Sequence, residues 1–146
     1  MRIENKIEEL FELAELLLPA FLKAHKDEIG RRTGIALALS LNQGKIAGSH
    51  VRKIGELSDQ KYYEGRFRAQ EKIQRMYRNR EISSFQSLDV SKNEHGGGIR
   101  SDNFYIAPDG LGSLLNQKFA FMLAELVGDI SLSKRMRIES LSIAVL

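Results

Sequence analysis

Regularly spaced basic side chains are the residues of this sequence best suited to chemistry. Ten of the chain's 22 lysines and arginines lie between Lys45 and Arg80, together with only four acidic residues. Four of these bases follow one another at intervals of seven, four and three residues: Lys61, Arg68, Lys72 and Arg75. On an α-helix this spacing stacks the side chains along one ridge. Such a ridge can contact successive phosphates of a nucleic-acid backbone. Each contact is favourable because it releases counterions from the nucleic acid.

A second interpretation treats the same bases as a solvated helix face that pairs with itself. Glu64 precedes Arg68 by four residues, and Glu71 precedes Arg75 by four. This order favours surface ion pairs worth about 0.2–0.5 kcal/mol each. Bases paired in this way need no ligand, so both interpretations stay open.

Four aromatic residues are interleaved with the bases, and a helical wheel places them on the opposite half of the helix. They are Tyr62, Tyr63, Phe67 and Tyr77. Ala69, Ile73 and Met76 fall on the same half. Rings among apolar residues favour packing in the core over stacking on nucleic-acid bases.

Two arginines fall on this apolar half. A buried guanidinium needs a carboxylate, a set of carbonyls or an anionic ligand, because an unpaired buried charge is costly. For Arg80, near the helix end, a side chain that reaches along the surface to water is the better explanation. For Arg66, that explanation and a ligand-binding role are equally open.

Further bases extend the predicted phosphate surface. Lys53 and Arg78 flank the ridge, and Arg31 and Arg32 form a second basic spot between two glycines. Backbone donors at the following helix N-terminus can join that pair in holding a phosphate. The predicted nucleic-acid-binding residues are therefore Lys61, Arg68, Lys72, Arg75, Arg66, Arg78, Lys53, Arg31 and Arg32.

Other candidate motifs lack residues that their chemistry requires. Residues 89–100 begin like a calcium loop, but Glu94 and Arg100 stand where glycine and glutamate are needed. His95–Gly98 resembles an esterase oxyanion loop, yet the chain has no Gly-x-Ser-x-Gly nucleophile motif. Three scattered histidines and no cysteine predict no metal site. We therefore expect no metal and no cofactor, and a binding protein rather than an enzyme.

The elements that carry these residues are predicted to be helices. Apolar residues recur at helical spacing along much of the chain, and serines stand at several expected helix starts. Pro19 is expected to kink or break the first helix near Leu18. The predicted helices cover 3–26, 35–41, 51–57, 59–82 and 111–127, with a last helix that begins at Ser131 or Ser133.

Ser83 to Gly112 shows no helical period and is rich in glycine, serine and asparagine. So long an irregular segment is generally functional or mobile, although a hairpin can form over Ile99–Ile106. The predicted fold class is therefore all-α. It is a compact bundle of about five helices in a single helical domain, 1–146, from which a long Gly-rich loop or hairpin (83–112) projects.

The eleven residues Ile35-Ala36-Leu37-Ala38-Leu39-Ser40-Leu41-Asn42-Gln43-Gly44-Lys45 carry a family resemblance. The segment resembles part of the small helical subunit of bacterial DNA phosphorothioation systems, a family associated with nicked DNA. The resemblance is confined to these residues, so no site residue is carried over from that family.

Bulk properties bound the class of protein. The chain has 146 residues, 42% of them hydrophobic, and a net charge of +3, which is ordinary for one soluble domain. The longest apolar run, Leu16 to Leu22, is too short to cross a membrane. The N-terminus does not resemble a signal peptide. We expect a cytoplasmic protein without membrane contact.

The function predicted from these features is non-catalytic binding of nucleic-acid phosphates through the basic ridge, as an accessory subunit of a larger complex. DNA and RNA stay open. The alternative is a helical assembly subunit that does not bind nucleic acid. In that case the first helix, acidic at its start and apolar along a broad stripe, pairs with a second copy or with a protein partner.

Overall fold

The fold combines helices with an antiparallel sheet. The computed structural model describes residues 3–42, 49–92 and 94–145. Within these ranges the elements are α1 (Ile3–Ala24), α2 (Lys26–Ile29), β1 (Gly34–Leu41), β2 (His50–Gly55), α3 (Asp59–Asn79), β3 (Ile99–Arg100), β4 (Phe104–Asp109), α4 (Ser113–Leu126) and α5 (Leu132–Val145). Two short 3-10 turns, Ser84–Ser87 and Val90–Lys92, lie between α3 and β3.

The four strands form one sheet in the order β2-β1-β4-β3, with every neighbouring pair antiparallel. The register places Leu39 opposite His50 of β2 on one side and opposite Ile106 of β4 on the other. β1 and β4 are therefore the inner strands. The far end of β4, Asp109, leads directly into the turn before α4.

The all-α prediction is wrong, because residues 35–41 and most of 51–57 are strands. Every residue from Gly34 to Ser40 is buried, since helices cover both faces of β1. A strand covered on both faces is apolar throughout and has no period that distinguishes it from a buried helix. Thr33 does not cap a helix: its Oγ donates to the carbonyl of Glu56, 2.8 Å away.

Helices lie on both faces of the sheet. On one face α1 and α4 pack over the large side chains of β1 and β4, and Phe21 meets Phe119 at 5.1 Å between ring centroids. On the other face α3 packs over small residues, among them Ala38 and Ala107. At Gly65 a Cβ would lie 3.3 Å from the Cβ of Ala36. Small side chains thus let α3 lie close to the sheet.

The remaining predicted helices are confirmed. Ser58 caps α3, accepting a hydrogen bond from the backbone N–H of Lys61 at 3.2 Å, and Ser131 accepts one from Lys134 at 3.1 Å ahead of α5. α1 continues through Pro19 without a break. Within the described residues, no helix combines the length and hydropathy that a membrane span requires.

The Gly-rich segment does not project from the molecule. Residues 96–99 are buried, and β3 and β4 form the hairpin expected over Ile99–Ile106. Gly97 has φ +107°, and a Cβ there would lie 2.7 Å from the Cβ of Asn116 and 2.8 Å from the carbonyl oxygen of Ser113. Gly97 therefore lets this segment pass close against α4.

Gly97→Ala is expected to lower the free energy of unfolding by about 2–4 kcal/mol, because it combines a left-handed backbone with a clash. Gly128→Ala is the matched control: Gly128 has φ +68° and no atom within 4 Å of the added Cβ. This control should lose only about 1–2 kcal/mol. Urea denaturation of both variants measures the difference, and equal losses would show that the close contact at Gly97 contributes nothing.

Candidate nucleic-acid interface

The predicted ridge on α3 is mostly inside the molecule. The side chains of Lys72 and Arg75 are 0% and 1% exposed, and that of Arg68 is 31% exposed. Of the four ridge bases, Lys61 is the one that is exposed. A buried side chain cannot reach a phosphate at the surface, so the ridge does not form a continuous contact line for a nucleic-acid backbone.

Lys72 and Arg68 join α3 to the end of β4. The Nζ of Lys72 donates to the carbonyl oxygen of Pro108 at 2.7 Å and to Oδ1 of Asp109 at 3.3 Å. The Nε of Arg68 donates to Oδ2 of Asp109 at 3.0 Å. Burial lowers the pKa of Lys72, and the charge of Asp109 opposes that shift. The two bases thus share one buried carboxylate.

Arg75 fixes the segment between α3 and β3. Its guanidinium donates to the hydroxyl of Ser87 and to the carbonyl oxygen of Ser84, each at 2.8 Å. It also donates to the carbonyl oxygen of His95 and pairs with Glu71. Burial raises the pKa of Glu71, although the charge of Arg75 opposes that shift. The guanidinium nitrogens of Arg75 therefore all donate to groups within the protein.

The outer side of α3 exposes aromatic rings. The exposed fractions are 60% for Tyr63, 57% for Phe67 and 41% for Tyr77. The first two rings meet edge to face, with centroids 5.1 Å apart and planes at 84°. Exposed Arg66 and Arg78 lie beside them. We call these five residues the aromatic face.

The expectation that the interleaved rings pack in the core is wrong for the three rings of the aromatic face, Tyr63, Phe67 and Tyr77. Ala69, Ile73 and Met76 do occupy the core. Tyr62 is partly buried, and its hydroxyl donates to the carbonyl oxygen of Val51 at 3.3 Å. α3 lies against the sheet with the side that carries Gly65 and Ala69, so the other rings, on its opposite side, stay at the surface. Arg66 is likewise exposed, and it needs no internal partner.

The other predicted bases lie at the start of the sheet and in β2. Lys53 pairs with Asp59 at 3.0 Å and lies 5.5 Å from the ring centroid of Tyr62. Arg31 and Arg32 are exposed just before β1. Lys53 is therefore already paired with an acid, whereas Arg31 and Arg32 lie exposed at a different place on the surface.

A cleft of about 570 Å³ brings together bases that are far apart in the sequence. Arg31 and Arg32 line it from the start of β1, and Lys61 and Arg68 line it from α3. Asp109 and the first residues of α4 complete the wall. The structure thus unites the second basic spot with part of the ridge, whereas Lys53, Arg66 and Arg78 are not among the residues that line the cleft.

Two further residues at this cleft were not predicted as site residues. Asp109 holds the bases described above, and His95 lines the cleft. Burial and the nearby charge of Lys72 lower the pKa of His95, which favours the neutral form of its ring. The local sequence Pro108-Asp109-Gly110 predicts only a turn. The bases that bind this turn lie about 40 positions earlier in the chain, so the local sequence does not indicate a site.

Metal binding finds no support in the described ranges, where no three His, Cys, Asp or Glu residues lie close enough to hold an ion. Comparison of the chain with family models, curated proteins and solved structures gave no match. The segment that resembles the phosphorothioation subunit forms strand β1 up to Leu41, and residues 43–45 lie outside the described ranges.

Proposed function

We propose that the protein binds single-stranded nucleic acid through the aromatic face of α3, without catalysis and without sequence readout. The observation that carries this proposal is the exposure of three rings beside two arginines. Aromatic side chains stack on unpaired bases, and arginines contact the phosphates between them. The face extends from Tyr63 to Tyr77, about 21 Å along the helix axis.

Stacking favours a single strand over a duplex. In a duplex the flat faces of the bases are covered by their neighbours, so exposed rings gain nothing from them. Unpaired bases offer those faces, and stacking tolerates any sequence because every base has one. The proposed ligand is therefore a flexible strand of DNA or RNA.

The charge around the rings favours a polyanion over an apolar protein partner. Between Arg66 and Arg80 the sequence contains one acid, Glu71, and Arg75 pairs with it. Within the described part of the chain, neither Arg66 nor Arg78 forms an ion pair, although the charge of Arg78 opposes the rise in the pKa of Glu71. An exposed aromatic patch alone also suits a protein interface. The two arginines beside the rings are what favour a nucleic acid over a protein partner.

The alternative of assembly through α1 is not favoured by the packing of that helix. Its apolar stripe, including Leu10, Phe11 and Leu18, is buried against the sheet and α4. Leu16 stays 74% exposed. Leu13 and Leu17 beside it are partly buried against the core. One exposed leucine is ordinary for a surface, so the side chains of α1 that are described, from Lys6 onward, leave no wide apolar seam for a second helix.

Fluorescence anisotropy with a labelled oligothymidine in low salt tests the proposal. Tyr63→Ala and Phe67→Ala should each weaken binding by about 1–3 kcal/mol, the usual contribution of a base stacked on a ring. Arg66→Ala with Arg78→Ala should make the slope of log affinity against log salt shallower by about 0.7 for each phosphate that the variant no longer neutralises. Exposed substitutions of this kind should leave folding almost unchanged.

Lys118→Ala with Arg137→Ala is the charge-matched control, because both residues are exposed on other helices. It should leave affinity and salt slope nearly unchanged, and a duplex of the same length should bind more weakly than the single strand. An equal loss in the control, or binding that ignores salt, would contradict the proposal. So would a dimer in solution that Tyr63→Ala and Phe67→Ala disperse, since the rings would then serve a protein interface.

A further inference from the structure

The cleft beside α4 collects positive charge from separate parts of the chain. Arg31 and Arg32 come from the segment before β1, Lys61 from the first turn of α3, and Arg68 from two turns further on. Bases that are distant in sequence converge here on one concave surface. A volume of about 570 Å³ is that of a small-molecule site.

Three of these cations are available to a ligand. Asp109 is already neutralised by Arg68 and by Lys72 behind it. Among the described residues, Arg31, Arg32 and Lys61 form no ion pair. The other carboxylates in the lining are Glu56 and Glu64. The cleft therefore keeps surplus positive charge and also offers two strong hydrogen-bond acceptors.

The guanidinium of Arg32 lies next to the start of α4. Its Nη1 is 3.6 Å from the position that a Cβ on Gly112 would take. Gly112 precedes the first turn of α4, and no side chain caps that turn. The absence of a side chain at Gly112 thus leaves open the space between Arg32 and the start of α4.

We propose that this cleft binds a phosphomonoester that carries hydroxyl groups, as phosphorylated sugars do. Arg32 and Lys61 contact the phosphate, beside the amino end of α4. The hydroxyl groups donate to Glu56 and Glu64, which explains why a cleft with surplus positive charge also contains carboxylates. The ligand is either a free sugar phosphate or the 5′-phosphate end of a nucleic-acid strand. The site does not depend on the binding of a strand to the aromatic face.

Isothermal titration calorimetry on the full chain tests the site with four probes: ribose 5-phosphate, ribose, and one short oligonucleotide with either a 5′-phosphate or a 5′-hydroxyl end. Ribose 5-phosphate should bind, and ribose should not. Arg32→Ala and Lys61→Ala should each weaken that binding roughly ten- to hundredfold, as expected for a charge-assisted hydrogen bond. Arg137→Ala is the control for a general decrease in surface charge and should change nothing.

Ser113→Glu separates a defect in binding from a defect in folding. A carboxylate in the first turn favours the helix, but at this position it also repels an anion in the cleft. The variant should therefore fold at least as well as the original chain and bind ribose 5-phosphate at least tenfold more weakly. If its binding is unchanged, the phosphate position is wrong.

The two sources of the phosphate give different results. If the 5′-phosphate raises oligonucleotide affinity at least tenfold over the 5′-hydroxyl, the ligand is a strand end. If ribose 5-phosphate binds, Arg32→Ala weakens that binding, and the 5′-phosphate does not raise oligonucleotide affinity, the ligand is a free sugar phosphate. Tyr63→Ala should leave either result intact, so failure of the aromatic face can be distinguished from failure of the cleft. If neither phosphate probe binds, or if ribose binds equally well, the proposal is overturned.

Discussion

Arg75→Met is expected to lower the free energy of unfolding by about 3–5 kcal/mol, as when one partner of a buried charged network is removed. The guanidinium joins α3 to Ser84, Ser87 and the carbonyl oxygen of His95. Methionine fills much of the same volume but donates no hydrogen bond. Those acceptors and Glu71 then lose their buried partner. Urea denaturation followed by circular dichroism measures the loss.

Arg78→Met is the matched control on the same helix. Arg78 is exposed, so this substitution should change stability by no more than about 0.5 kcal/mol. Arg75→Lys tests the shape of the donor, because lysine keeps the charge and loses the planar fork that reaches several acceptors. It should recover only a small part of the stability lost in Arg75→Met.

Hydrogen exchange locates the effect. The amide of Gly98 donates to the hydroxyl of Ser84, and the amide of Ser84 donates to the carbonyl oxygen of Gly98. Both amides should lose protection in Arg75→Met before the sheet does, since the segment loosens without global unfolding. Unchanged protection from residue 84 to residue 98 would show that Arg75 does not hold this segment.

The long helices could be predicted because their signals are local. α3 begins at a serine that caps it, and α4 carries apolar residues at helical spacing and ends beside Gly128. Capping and periodicity act within a few turns, so one stretch of sequence contains the whole signal. Tertiary packing did not have to be known.

Strands β1 and β2 could not be predicted, because what makes them strands is their pairing and packing with distant parts of the chain. β1 is covered on both faces, which removes the alternation that marks a strand. β2 lies at the sheet edge and alternates only partly, with Ile54 as its one fully buried residue. The pairing of β1 with β4 joins Leu39 to Ile106, and no local pattern contains that pairing.

Part of the candidate site was predicted with the wrong side of α3 facing inward. The helical wheel correctly separated the four ridge bases from the rings, and composition then assigned the rings to the core. The structure reverses that assignment for Tyr63, Phe67 and Tyr77, because α3 turns its other side to the sheet, where Ala69, Ile73 and Met76 pack with Ala38, Tyr105 and Ala107. Lys72 can be buried because Asp109, 37 positions later, supplies its counter-charge. A helical wheel contains no information about such a partner.

Asp109→Ala is expected to lower the free energy of unfolding by about 3–5 kcal/mol, because it leaves Lys72 as an uncompensated buried charge. Lys72→Met should cost less. In that variant Asp109 still pairs with Arg68, and methionine replaces the apolar stem of lysine. The double variant should therefore be more stable than Asp109→Ala alone, since it removes the stranded charge. Urea denaturation of all three variants at pH 7 completes the cycle.

The pH dependence of stability distinguishes a stranded charge from a simple packing defect. The pKa of Lys72 is lower in the folded chain than its ordinary value of 10.5. Between those two values the unfolded chain binds more protons, so the free energy of unfolding rises with pH. Asp109→Ala removes the charge that opposes this lowering, so the rise should begin at lower pH than in the original chain.

Lys72→Met and the double variant should lose the part of this rise that Lys72 contributes, because the titrating group is gone. A packing defect at Asp109 predicts instead a loss of stability that is equal at every pH from 7 to 10. If Asp109→Ala shows that constant loss, the ion pair is not what stabilises the packing of α3 on β4. If its deficit shrinks with rising pH and Lys72→Met abolishes the change, the buried lysine is charged near neutral pH and depends on Asp109.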